Sequence, residues 1–75
     1  MNAFLLISLN DSKEEELLED LSEYPEVEEG YIIFGEWDII LKLKAESNEA
    51  ASKFVRDNVR SLSVVKLTST LIVAV

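Results

Sequence analysis

The chain predicts an α+β fold with the element order βαββαβ: one four-stranded antiparallel sheet carrying both helices on one face. Three observations support this. Apolar runs of strand length open and close the 75 residues, Ala3-Phe4-Leu5-Leu6-Ile7 and Leu71-Ile72-Val73-Ala74-Val75. Two stretches with helical apolar spacing each lie between strand patterns. Only Gly35-Glu36 separates the two middle strands, which therefore form a hairpin. Two right-handed βαβ crossovers joined by a hairpin place both helices on the same side, giving a ferredoxin-like sandwich in a single domain.

The first strand is expected over residues 2–9, ending at Asn10-Asp11-Ser12. Ser12 followed by Glu15 has the spacing of a capping box, and Glu14, Glu15 and Glu16 fill a first turn where the helix field favours anions. Leu17, Leu21 and Tyr24, with Leu18 beside them, give the apolar face of a helix over residues 13–24, and Pro25 stops it. A second strand spans 27–34, where Gly30 either weakens the strand or marks a close backbone approach. The third spans 37–44, with Trp37, Ile39, Leu41 and Leu43 facing one way and Asp38, Ile40, Lys42 and Lys44 the other. Ser47 caps the second helix, whose inward stripe is Ala51, Phe54, Val55, Asn58, Val59 and Leu62. After a short exit at 61–63 the last strand covers 64–75.

The first and last strand patterns are apolar on both faces, whereas a sheet covered on one side alternates apolar with polar. The face without helices, with Phe4, Leu6, Ile32 or Ile33, Ile40 and one parity of 71–75, needs cover from outside the chain. A second copy is the simplest cover, so a homodimer through the sheet face is expected. If half of a small standard interface is apolar, ~25 cal/mol per Å² gives a gross drive on the order of 10 kcal/mol before association costs.

Composition excludes several classes. The chain has no Cys and no His, which removes disulfides, thiolate chemistry, the usual neutral-pH base and the commonest metal ligand. No catalytic residues, cofactor or metal are expected. The charge of −8 is uneven: residues 1–38 hold 12 acidic and one basic group, residues 39–75 three acidic and six basic. Those six, Lys42, Lys44, Lys53, Arg56, Arg60 and Lys66, are scattered over strands and a helix face, so no direct nucleic-acid contact is expected. Nothing has the length of a membrane span, and a cytoplasmic location follows by default.

Two segments are candidates for ligand chemistry. In Phe34-Gly35-Glu36-Trp37-Asp38, the structural reading is a hairpin turn with a packed Trp and a capping Asp. The functional reading is that Gly35 leaves room for a ligand or a neighbouring backbone and Asp38 accepts hydrogen bonds from an amino group. Thr68, Ser69 and Thr70 are either ordinary strand residues or donors to a ligand carboxylate. Tyr31 is either strand packing or a wall of the same crevice.

Pro25-Glu26-Val27, Phe34-Gly35-Glu36-Trp37-Asp38-Ile39-Ile40-Leu41-Lys42-Leu43 and residues 64–73 (Val-Val-Lys-Leu-Thr-Ser-Thr-Leu-Ile-Val) together resemble the C-terminal effector domain of Lrp/AsnC transcriptional regulators, the RAM domain. The resemblance covers essentially the whole chain, residues 1–75, although Ser63 stands where a glycine commonly precedes the valine. It implies dimerisation through the sheets, further assembly such as a tetramer of dimers, and an amino acid effector bound between dimers. On matching positions, Gly35, Glu36, Trp37 and Asp38 would border the crevice and Asp38 would meet the effector's amino group. Ser69 or Thr70 would take the carboxylate side, within the polar segment 68–70. Met1 runs directly into the effector strand, so the resemblance implies a stand-alone module without a helix-turn-helix, a variant known among prokaryotes and especially archaea.

The expected function is a non-enzymatic amino-acid-binding oligomer that modulates regulation of amino acid metabolism, alone or paired with a full-length Lrp/AsnC regulator. Alternatives are a purely structural oligomerisation partner of such regulators and an ACT-like small-molecule sensor. ACT domains usually carry a glycine between the first strand and first helix, and Ser8-Leu9-Asn10-Asp11 has none.

Overall fold

The computed structural model describes residues 2–75; Met1 lies outside the described residues. The order is β1 (Asn2–Leu9), α1 (Glu14–Leu21), β2 (Val27–Ile32), β3 (Ile39–Lys44), α2 (Asn48–Asn58) and β4 (Val65–Ile72). The strands form one antiparallel sheet in the order β2-β3-β1-β4, the ferredoxin-like arrangement expected from the sequence. β1 and β3 are central, and their alternate residues Ala3, Leu5, Ile7, Ile39, Leu41 and Leu43 are buried against Leu17 and Leu21 of α1 and Ala51, Phe54 and Val55 of α2.

The two helices start differently. Ser47 caps α2 as its sequence predicts: the side-chain oxygen accepts the Ala50 N–H at 3.1 Å. The Ser12–Glu15 capping box does not form. α1 begins one residue later, Lys13 holds the N-cap position without a side-chain hydrogen bond, and the Ser12 N–H donates instead to Asp11 Oδ1 at 2.9 Å. α1 also ends before Tyr24, whose ring stands edge-on to Phe54 with centroids 5.3 Å apart.

Gly30 marks a close approach. A Cβ there would stand 2.6 Å from Leu18 Cδ1 and 2.8 Å from Leu41 Cδ2, so a side chain at this position of β2 would have to displace both leucines. Bulges then set the parity of both outer strands. Val27 pairs with Leu43 and Glu29 with Lys42, leaving Glu28 as the extra residue of β2. Leu9 pairs with Val65 and Ser8 with Leu67, leaving Lys66 as the extra residue of β4.

The face without helices carries Phe4 and Leu6 of β1, Ile40 of β3, Tyr31 of β2, and Leu67, Ser69 and Leu71 of β4. Tyr31, Leu67 and Leu71 are half exposed or more. Ile32 is not part of this face: it pairs with Ile39, a helix-facing residue, because the bulge at Glu28 shifts β2. Lys42 sits on the open face with both Glu28 and Glu29 within 4 Å, at 3.8 and 3.7 Å, since the bulge turns two consecutive glutamates toward it.

Both predicted strand ends are too long. β2 stops at Ile32, and Phe34 is fully exposed; β4 stops at Ile72, and Val75 is fully exposed. Their apolar character satisfies a strand pattern, but no neighbouring strand continues beside them.

Candidate functional site

The hairpin 33–38 is held to the central strand by its last residue. The Asp38 N–H donates to the Ile7 carbonyl at 2.9 Å, and the Asp38 carbonyl accepts the Ile33 N–H at 2.9 Å. β1 runs past the start of β3, so the next N–H on that side, Leu9, has no ladder partner. Asp38 Oδ2 accepts it at 2.8 Å. The carboxylate therefore extends the β1–β3 ladder by one bond, satisfying a half-buried donor. Oδ1 makes no hydrogen bond among the described residues.

Gly35 turns the hairpin at φ +124°, a left-handed value that a side chain resists, and open space surrounds the position a Cβ would take. Glu36 is exposed, and Trp37 and Asp38 are half-buried. The turn reading and the room-for-a-ligand reading thus coexist at Gly35: the backbone needs the glycine, and the space beside it is free.

The other predicted residues lie on two faces. Across the sheet, Tyr31, Ile40, Leu6 and Ser69 share one row on the open face. Tyr31 and Ser69 are therefore three strand spacings apart, roughly 14 Å, on opposite edges. Thr68 and Thr70 pair with Ile7 and Leu5 and so share the helix-facing parity. In one chain the eight residues do not converge on a common cleft among the described residues. The Tyr31 hydroxyl donates to Glu29 Oε1 at 2.9 Å, and this bond, with the carboxylate's charge, raises its pKa above the usual tyrosine value. The phenol is therefore already engaged.

Of the eight, Thr68 lines a polar cleft at the β4 edge shared with Arg60, Val65, Lys66 and Leu67. Arg60 and Lys66 are among the scattered cations of the sequence; the bulge at Lys66 leaves no mark in the sequence. An apolar groove lined by Leu43, Ala51 and Phe54 lies at the far end of β3 from the hairpin and holds none of the predicted residues. No group of three or more acidic side chains is placed to hold a metal among the described residues, and no helix is long and apolar enough to cross a membrane.

The single chain is thus a ferredoxin-like domain with an open apolar sheet face and with the candidate polar groups spread over its hairpin end and both faces. Residues 2–74 match the Lrp/AsnC ligand binding domain, and the chain belongs to that family. Family membership makes it a non-catalytic regulatory domain and decides against the ACT-like alternative. It is 33% identical over 73 residues to the HTH-type transcriptional regulator FL11 of Pyrococcus horikoshii, covering 97% of this chain and 48% of the relative. The chain thus spans about half the length of the curated relatives it matches. PHS023 from Pyrococcus horikoshii superposes with a TM-score of 0.89 at 32% identity, covering 99% of this chain and 89% of that one. The transcriptional regulator NMB0573 of Neisseria meningitidis, solved as its L-Met complex, superposes at 0.84 with 26% identity over 96% of this chain and 48% of that one.

Proposed function

We propose that this chain is an amino-acid-responsive assembly module that modulates transcriptional regulation of amino acid metabolism in the cytoplasm without contacting DNA itself. The observation that supports it most is the open face, where Phe4, Leu6, Ile40, Tyr31, Leu67 and Leu71 form an apolar surface across all four strands. A second copy covers that face, and dimers assemble further, as a tetramer of dimers, so that hairpin residues Gly35–Asp38 and the 68–70 segment of different copies border one crevice. Asp38 Oδ1, which is free of internal bonds, meets the amino group of the effector, and Ser69 or Thr70 meets its carboxylate. The L-Met complex of a relative supports an amino acid as the ligand class. The net charge of −8 and the scattered cations argue against a DNA footprint.

A specific observation favours a second reading, an oligomerisation partner for full-length Lrp/AsnC regulators that binds nothing in its crevice. Asp38 already has a structural task at Leu9. Light scattering coupled to size exclusion, with a thermal shift, against each of the twenty amino acids separates the two. A mass or melting change with a few of them is expected, because a ligand that binds the assembly stabilises it. A constant oligomer indifferent to all twenty refutes the sensor and leaves the structural partner.

A further inference from the structure

The chain carries seven cationic side chains against 15 carboxylates. Four of the seven are paired: Lys13 with Glu16, Lys42 with Glu28 and Glu29, and both Lys53 and Arg56 with Asp57. Lys44, Arg60 and Lys66 have no carboxylate partner among the described residues, in a chain where acids outnumber bases about two to one, and Arg60 and Lys66 both line the polar cleft with Thr68.

Neither cation is explained by local structure. Arg60 follows the C-terminus of α2, where a cation commonly binds the last carbonyls. Several carbonyls there are already taken: Val55 accepts the Val59 and Arg60 N–H groups, Phe54 accepts Asn58 Nδ2, Asp57 accepts Ser61 Oγ, and Val59 accepts the Leu62 N–H. The Arg60 guanidinium makes no hydrogen bond among the described residues. Lys66 is the extra residue of the β4 bulge, the device by which a strand re-aims one side chain. β4 is an outer strand, so backbone N–H groups along its free edge add neutral donors.

From this geometry we propose that the cleft at the β4 bulge binds a dianionic phosphoryl group, with Arg60 and Lys66 supplying charge and Thr68 a hydroxyl donor. Two cations match two negative charges, and the guanidinium fork suits two phosphoryl oxygens. A monocarboxylate leaves one cation unpaired. The arrangement is a point site for a free phosphate or a small phosphomonoester. A nucleic acid backbone requires a longer basic stripe.

The test is an amide NMR titration of the intact chain with inorganic phosphate, glycerol phosphate and malonate at matched ionic strength, repeated on Arg60→Gln, Lys66→Gln and the double variant. Saturable shifts centred on residues 65–68 are expected for phosphate. Each single substitution is expected to weaken binding about tenfold, the loss of one charged hydrogen-bonding partner, and malonate is expected to bind more weakly. Tighter binding of glycerol phosphate assigns an ester as the natural source, and equal binding assigns free phosphate. Shifts that do not saturate, malonate binding as tight as phosphate, or shifts that survive in the double variant overturn the proposal. A change of oligomer mass in the double variant also overturns it, since the cleft's occupant would then be a carboxylate of a second copy.

Discussion

Asp38 holds the Leu9 N–H and, under the proposed function, also meets the effector, and two substitutions separate these roles. Asp38→Ala removes the acceptor that the Leu9 N–H reaches at 2.8 Å. Leu9 is half-buried and β3 no longer runs beside it, so the donor is left unsatisfied at a cost of about 1–3 kcal/mol. For a domain of this size each kcal/mol lowers the melting midpoint by roughly 4–8 °C. Asp38→Asn keeps an oxygen in the same place and loses only the charge, so its cost is expected to stay below about 1 kcal/mol. Urea denaturation at fixed protein concentration measures both, and hydrogen exchange at the Leu9 amide tests the cause: protection is expected in the wild type and in Asp38→Asn, and its loss in Asp38→Ala. Equal stability of Ala and wild type, or a Leu9 amide that exchanges freely in the wild type, refutes the pin. With the fold retained, Asp38→Asn is also the clean probe of recognition. An effector response lost in this variant assigns Asp38 to the amino group, and a response retained leaves it the pin alone.

Three further outcomes are expected. Gly30→Ala places a Cβ 2.6 Å from Leu18 Cδ1 and 2.8 Å from Leu41 Cδ2, and overpacking against fully buried Leu41 costs about 1–3 kcal/mol, less the ~0.5–1 kcal/mol gained by removing a strand glycine; a urea double-mutant cycle with Leu18→Ala should show relief, and additivity would refute the contact. Leu71→Asp should raise the dimer dissociation constant at least about tenfold in analytical ultracentrifugation, because a leucine 50% exposed in the single chain has about 1 kcal/mol of burial left per copy and the aspartate adds an unpaired charge; an unchanged constant places the interface elsewhere. Asp57 has its pKa lowered by the hydrogen bond from Lys53, opposed by desolvation and aided by the charges of Lys53 and Arg56, so its stabilising contribution is intact above the ordinary carboxyl value of about 4 and fades as pH falls through the lower folded value. NMR titration of its carboxyl should give a midpoint below that of Asp57 in an unfolded peptide, and Lys53→Gln should move the midpoint back up.

The sequence made legible what a periodicity can encode. Ala3, Leu5 and Ile7 against Phe4 and Leu6, and Ile39, Leu41 and Leu43 against Ile40 and Lys42, alternate in the sequence and alternate in the sheet. Ser47 works because its local chain is the whole of its environment. Ser12 fails for a related reason: Asp11 competes for its N–H one residue away, and spacing alone does not rank the two carboxyl acceptors. Parity on the outer strands was not legible, since one extra residue at Glu28 moves Tyr31 onto the open face and Ile32 off it. The candidate site was legible as residue types at the hairpin. Its geometry was not, because the role of Asp38 depends on where β1 outruns β3, and the cleft at Thr68 depends on the bulge at Lys66.

The distribution of the candidate residues has a thermodynamic consequence. Tyr31 and Ser69 lie on opposite edges of the open face, Thr68 and Thr70 on the helix-facing parity, and Gly35–Asp38 at the sheet's end. A ligand that touches several of these groups at once needs more than one copy, so under the proposed function effector binding and assembly share one coupling free energy. The apparent effector affinity should then rise with protein concentration, and the assembly constant should rise with effector by the same factor. A crevice complete within one chain predicts the opposite, an affinity independent of protein concentration. Isothermal titration with the responding amino acid at protein concentrations on either side of the assembly midpoint distinguishes them. A flat affinity across that range would mean that the ligand reads a single chain, and the division of these residues among three surfaces would then have to be explained by assembly alone.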